Sequence, residues 1–267
     1  MQPPRLASLV LMLTAAALLA TAVAAPAVAQ GLHQYYGLAI APDGSRTATI
    51  ESSGGHTVIT LRSATDGRVL RTIDPCATCG YSDLSFAPNG DLVFLARDPA
   101  SKGVMLDYAS GTATRTIATV PGIAQTPRVS PDGKRIALLV TLGAEKEAGA
   151  TQPGVRMIGE IGEKNDEQRL AVFDVASPSS TVTPLSPAGR YVYEYDWTPD
   201  GRGFVATTAL GNGDNNWWVA TLDAIDAQSG AVRSIAKPAT QIKHPRVSPD
   251  GRTVAYIGGL MSDYGSI

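Results

Sequence analysis

The chain has 267 residues, with 22 Lys and Arg against 24 Asp and Glu for a formal charge of −2, and 44% of it is hydrophobic. Charge this balanced, with no basic run or basic stripe interleaved with aromatics, excludes a nucleic-acid partner, because neutralising phosphates needs concentrated positive surface. Two cysteines and three histidines give no Cys/His cluster for zinc, and no Gly-rich loop ends in Lys-Ser/Thr, so neither a metal nor another cofactor is expected.

In chain order, the first element is Met1–Ala29. Arg5 precedes an apolar run from Leu6 to Ala20, and Ala27-Val28-Ala29 stands before Gln30 as a small-residue cleavage site. The pattern predicts a secretory signal peptide over residues 1–29, with an uncleaved anchor as the alternative. The run is short for a membrane span, which needs about 20 apolar residues. The mature chain is therefore expected in the periplasm or outside the cell, with no membrane contact after cleavage.

Beyond it one short string recurs five times: Ala41-Pro42-Asp43-Gly44, Ala87-Pro88-Asn89-Gly90, Ser130-Pro131-Asp132-Gly133, Thr198-Pro199-Asp200-Gly201 and Ser248-Pro249-Asp250-Gly251. The prolines lie 46, 43, 68 and 50 residues apart, close to the roughly 40 to 50 that one propeller blade needs. Proline presets φ at the first central turn position, Asp or Asn accepts local backbone hydrogen bonds, and glycine takes the left-handed conformation that reverses the chain. Apolar residues alternate beyond the turns, as Ile136, Leu138 and Val140, and again as Val254, Tyr256 and Gly258, with the period of a half-buried strand. A second hairpin follows each turn: Thr57–Arg62 before Asp66-Gly67, Val104–Tyr108 before Ser110-Gly111, Leu170–Asp174 before Ser177-Pro178, and Trp217–Asp223 before Ser229-Gly230.

The predicted fold class is all-β: a β-propeller of four-stranded antiparallel blades over residues 30–267. The blades are expected at about 36–73, 82–118, 125–185, 192–236 and 244–267. The last has 24 residues, about half of what a blade needs, so some four and a half blades are expected and the chain reads as a piece of a longer polypeptide.

Between the first two blades lies Cys76-Ala77-Thr78-Cys79. Haem attachment would need histidine at position 80, which is glycine, and a redox dithiol would need a thioredoxin-like strand and helix. A turn brings residues three apart within about 7 Å, inside the reach of a disulfide. A structural disulfide joining Cys76 and Cys79 is expected. Two later stretches depart from the repeat. Thr141 to Arg169 is overlong and carries Glu145, Lys146, Glu147, Arg156, Glu160, Glu163, Lys164, Asp166 and Glu167; such insertions map to loops on one face, often the binding face. Gly211 to Trp218 sets Asp214, Asn215 and Asn216 beside Trp217 and Trp218. Strand alternation would turn the two tryptophans to opposite sides, freeing one for a peptide, another domain or a neighbouring blade.

The periodic Ser-Pro-Asp-Gly turns behind a signal peptide, with Tyr193-Glu194-Tyr195-Asp196-Trp197, Gly211-Asn212-Gly213-Asp214-Asn215-Asn216-Trp217-Trp218 and Gly258-Gly259-Leu260-Met261-Ser262-Asp263, resemble the N-terminal propeller of bacterial secreted prolyl oligopeptidase-like serine peptidases, the branch of dipeptidyl and acylaminoacyl peptidases. The resemblance covers residues 30–267. The turn motif alone also occurs in the periplasmic propeller of the Tol system. The resemblance implies that a propeller is followed by an α/β-hydrolase domain holding a Ser-Asp-His triad. No Gly-x-Ser-x-Gly string occurs in this chain, and His33, His56 and His244 fall within the repeat, so no catalytic residue is assigned. What is implied is a non-catalytic portion that gates short peptide substrates for a C-terminal hydrolase domain missing here, the parent protein being the peptidase. In dipeptidyl peptidases of that family, carboxylates on a propeller excursion hold the substrate ammonium. Glu160 and Glu163 are candidates for that role, against the alternative of a solvated charged loop. The alternative for the whole chain is a stand-alone periplasmic propeller, Tol-system-like, that binds a protein or glycan.

Overall fold

The structure is a computed structural model that describes residues 34–144, 166–211 and 213–259, with Asp214 and Asn215 in backbone only. It is an all-β propeller, incomplete over the described residues. The first blade runs β1 (Tyr35–Ile40), β2 (Arg46–Ser53), β3 (His56–Ser63), β4 (Val69–Ile73), and the second β5 (Gly80–Phe86), β6 (Leu92–Arg97), β7 (Val104–Ser110), β8 (Ala113–Val120). The third holds β9 (Gly122–Val129), β10 (Arg135–Leu142) and β11 (Arg169–Asp174), extended by a bridge from Ala171 to Pro184. The fourth is β12 (Arg190–Trp197), β13 (Gly203–Leu210), β14 (Thr221–Asp226), β15 (Val232–Ala236); the fifth pairs β16 (Gln241–Val247) with β17 (Val254–Gly259). Every pairing within these sheets is antiparallel between neighbours in sequence, so each blade is a meander.

The repeated string closes each turn from the first strand of a blade to the second. Gly44, Gly133, Gly201 and Gly251 each donate N–H to the carbonyl three residues earlier at 2.8 Å, with φ of 70°, 73°, 67° and 70°. The turn aspartates brace the loop: Asp132 Oδ1 accepts the Ser130 hydroxyl at 2.6 Å and the Lys134 N–H at 3.1 Å. These hydrogen bonds, hydroxyl first, hold the Asp132 and Asp250 carboxyls below the ordinary carboxylate range.

The alternation beyond the turns has a different meaning from the half-buried strand expected of it. Ile136, Leu138 and Val140 of β10 pack toward the second blade, while Ala137 and Leu139 between them pack toward the fourth. Both faces are buried because a sheet stands on either side, so the middle strands read as nearly continuous apolar runs. The core is thus divided among the seams. Ile50, Ile59 and Phe94 fill the first, Leu95, Leu106, Ile136 and Phe173 the second, Leu139, Tyr195, Trp197 and Phe204 the third, and Val205, Leu222 and Ile242 the fourth. The Pro-Asp-Gly turns mark one end of every blade, and the loops between second and third strands mark the other. The links between blades share this second, loop end with the Cys76–Cys79 segment and the loop after β13.

Candidate functional site

Each innermost strand carries an irregularity near one repeat position, five residues before the turn proline. It takes in Asp83, Thr126 and His244 in the second, third and fifth blades, and in the first and fourth it falls one residue earlier, at Tyr36 and Tyr193, next to Gly37 and Glu194. Asp83, Thr126 and His244 have positive φ, of 52°, 53° and 55°. An extra residue in a strand pushes its backbone N–H out of the ladder, and a carboxylate from the blade before meets it. Asp83 Oδ1 accepts the Thr126 N–H at 3.0 Å, and Glu194 accepts the His244 N–H through Oε2 while its Oε1 lies 3.1 Å from His244 Nδ1. Two residues along, Asp196 Oδ2 accepts the Val247 N–H at 3.0 Å and Oδ1 lies 3.8 Å from Arg128 Nη1. Arg246 donates to its neighbour's carbonyl, Pro245 O, at 2.7 Å. Desolvation, and then the charge of Arg128, pushes the Arg246 guanidinium below its usual pKa. The innermost strands of the second to fifth blades therefore bring two arginines, three carboxylates and a histidine together.

At the loop end of the fourth blade, helix α1 (Gly213–Asn216) and a 3-10 turn over Trp217–Val219 lead into β14. The strand expected from Trp217 begins only at Thr221, and the tryptophans do not face opposite ways. Their rings stack at 4.5 Å with 24° between planes, and Trp218 is 54% exposed. The cause is local. Asn216 Nδ2 donates to Leu210 O at 2.6 Å, and the Ala220 N–H closes back on Trp217 O at 3.3 Å, so the backbone turns where a strand would alternate. The turn is pinned to β12: Tyr193 Oη donates to Gly213 O at 2.6 Å, and a Cβ on Gly213 would stand 2.2 Å from the Tyr191 ring. Leu210, Trp218 and Val219 form an exposed apolar shelf beside it.

Of the residues singled out in the sequence, Trp217 and Asn216 thus lie in this turn. Asp214 and Asn215 lie in α1. Glu160 and Glu163 lie outside the described residues. Cys76 and Cys79 are joined as a disulfide across 5.4 Å between Cα atoms, Cys79 fully buried in the first seam. Tyr81 Oη sits beside that turn, 3.1 Å from the Cys76 carbonyl and 3.0 Å from Asp74, whose other oxygen is 2.9 Å from His56 Nε2. The axial residues Asp83, Arg128, Glu194, Asp196, His244 and Arg246 were missed as a group. One signal stood in the sequence: Pro127-Arg128-Val129-Ser130-Pro131-Asp132-Gly133 recurs residue for residue as Pro245-Arg246-Val247-Ser248-Pro249-Asp250-Gly251.

No family model matches the chain. In sequence it is similar to the Tol-Pal system protein TolB of Francisella tularensis subsp. tularensis (strain WY96-3418), at 27% identity over 224 residues, which cover 74% of this chain and 49% of that protein. The chain spans about half the length of the curated relatives it matches. Among solved structures it is similar to TolB from Acinetobacter baumannii, with a TM-score of 0.54 and 17% identity over 85% of this chain and 49% of that one. It is also similar to apo prolyl oligopeptidase B from Galerina marginata (TM-score 0.57, 15% identity, 83% and 32% covered). An acylaminoacyl peptidase in complex with Z-Gly-Gly-Phe-chloromethyl ketone gives 0.58 at 12%, with 87% and 36% covered. At these identities the structural likenesses speak for the propeller fold alone.

Proposed function

We propose that the chain is the substrate-gating, non-catalytic propeller portion of a secreted serine exopeptidase acting on short peptides. The observation that carries this reading is the loop end of the fourth blade, where exposed Trp218 stacks on half-buried Trp217 in a turn held by Asn216. Aromatic shelves next to hydrogen-bonding groups suit peptide side chains and amide planes. The charged excursion after β10 leaves its blade at the same end, so Glu160 or Glu163 would pair with a peptide ammonium there.

The experiment is a titration of short peptides with free and acetylated amines into the purified protein, followed by tryptophan fluorescence. Free-amine peptides are expected to bind more tightly, and Glu160→Gln or Glu163→Gln to weaken them by about tenfold to a hundredfold while sparing acetylated ones. The chain is expected to stay unlabelled by a fluorophosphonate, having no activated serine. Stoichiometric labelling, or indifference to the amine and to both glutamates, would overturn the reading.

A second reading rests on the sequence relatives, which are named for the Tol-Pal system. In it the propeller is a stand-alone periplasmic module and the same face docks a protein partner. Absence of peptide binding, together with saturable binding of a purified Tol-Pal protein that Trp218→Ala abolishes, would favour it.

A further inference from the structure

Within the axial cluster the charges are unevenly spent. Glu194 is engaged twice by His244, and Asp83 by the Thr126 N–H. Of the carboxylates that act on the arginines, Glu194 is held by His244, and Asp196 is half committed: Oδ2 takes the Val247 N–H, and Oδ1 stands 3.8 Å from Arg128, too far for a hydrogen bond. Arg128 Nε is buried with no hydrogen-bond partner among the described residues, although the guanidinium packs 5.9 Å from the centre of the Tyr195 ring. Arg246 gives one N–H to the adjacent Pro245 carbonyl, and its remaining donors take no partner among the described residues. A guanidinium carries five N–H donors in a planar fork, and a buried N–H such as Arg128 Nε is costly to leave without an acceptor, while the exposed Arg246 fork is open to an incoming group.

We infer that Arg128 and Arg246 form an oxyanion-binding site at the propeller axis, one that takes a carboxylate or phosphate group and for which Asp196 stands in while the site is empty. Three features fit this assignment. The arginines occupy the same repeat position on alternate blades, so the fold itself sets them as a pair. Arg matches the planar, bidentate geometry of carboxylate and phosphate better than any other side chain. Asp196 holds its place through the Val247 N–H and not through either guanidinium, so an incoming anion need not break a hydrogen-bonded ion pair. The site is independent of which reading of the whole chain holds, since it needs neither the tryptophan shelf nor the excursion after β10.

The test is isothermal titration of the purified protein with three probes: inorganic phosphate, a short acetylated peptide with a free C-terminal carboxylate, and the amidated twin of that peptide. Acetylation removes the ammonium, so the glutamates proposed above play no part in the signal. Phosphate, the free carboxylate or both are expected to bind at one site, with the amidated peptide weaker by tenfold or more. Binding of phosphate alone assigns the ligand to phosphoryl groups, and binding of the carboxylate alone to peptide ends; either supports the site. Arg246→Gln, at an exposed side chain, is expected to weaken the anion by about tenfold to a hundredfold. Asp196→Asn keeps an acceptor for Val247 and removes the competing charge, so it is expected to tighten binding several-fold. A merely structural role for Asp196 would not produce that opposite sign. Arg128→Gln should match Arg246→Gln, and if it fails to fold the other two variants still decide. No binding of either anion, or wild-type affinity in both Arg246→Gln and Asp196→Asn, overturns the assignment.

Discussion

The seams between blades are of two kinds, and they alternate. First to second and third to fourth are clasped by arginine. Arg46 Nη2 donates to Gly90 O at 3.2 Å and stacks 5.8 Å from the centre of the Phe86 ring; Arg135 Nη2 donates to Gly201 O at 2.6 Å and stacks 5.2 Å from the centre of the Trp197 ring. Second to third and fourth to fifth lack that arginine, since Leu92 and Gly203 stand four residues after their turn prolines, where Arg46 and Arg135 stand after theirs. They are capped instead by the carboxylates of Asp83 and Glu194 on displaced backbone N–H groups. Apolar packing joins all four seams but is non-directional. Several polar contacts give each seam direction, among them Tyr195 Oη on Thr126 O and Arg97 on Gly122 O, and the contact that distinguishes the two kinds sits at the turn end in one and at the strand irregularity in the other.

The largest break should come in a clasped seam. Trp197 is nearly buried, donates Nε1–H to Arg128 O at 3.0 Å, packs 4.1 Å from the Phe204 ring and carries Arg135 on its face. Trp197→Ala is expected to cost about 3 to 5 kcal/mol, read as a lowered urea midpoint. A loss under about 1 kcal/mol would mean that the clasp is ornamental. A capped seam should yield less. Asp83→Ala strands the Thr126 N–H at a cost of about 1.5 to 3 kcal/mol, and Asp83→Asn, which keeps an acceptor, should cost under half of that. Equal losses for the two would show that charge, and not the acceptor, holds the capped seam.

The smallest effect concerns pH. Asp107, on β7 opposite Phe94, is buried, with its Oδ1 accepting the Thr116 hydroxyl at 2.7 Å, and burial raises its pKa against the lowering effect of that bond. A raised folded pKa means the folded chain holds a proton that the unfolded chain has lost across the window between the two values. Stability therefore falls as pH rises through that window, and at neutrality the full cost is present. Asp107→Asn is expected to raise the melting temperature slightly at pH 7 and to leave it unchanged below the ordinary carboxylate range. The turn aspartates have the opposite sign: Asp132 is held low, so its contribution is present above the ordinary carboxylate range and fades as pH falls through its depressed value. A flat pH response of the Asp107→Asn difference would detach that residue from the first seam's energetics.

What could be read from sequence follows how local the chemistry is. The Pro-Asp-Gly turns are made by four adjacent residues, so the propeller and its antiparallel meanders were legible. The seam contacts of Asp83 with Thr126, Asp196 with Val247 and Arg135 with Gly201 join residues 43, 51 and 66 positions apart, and nothing local in either partner announces the other. Trp217 failed for a neighbouring reason. Two aromatics before an alternating run look like a strand, but the Asn216 side chain reaches back to Leu210 and turns the backbone. Alternation in β10 was real and its meaning was mistaken, because period two cannot tell solvent from a second core.

The seven residues shared by Pro127–Gly133 and Pro245–Gly251 recur two blades apart, not one. Joint chemistry of two alternating kinds gives the molecule a grammar in which the word is a doublet. Adding a single blade would set two joints of one kind side by side. Adding two keeps the alternation. Lineages of chains built this way are expected to gain and lose blades in pairs, with odd changes marked by rewritten residues at the seam.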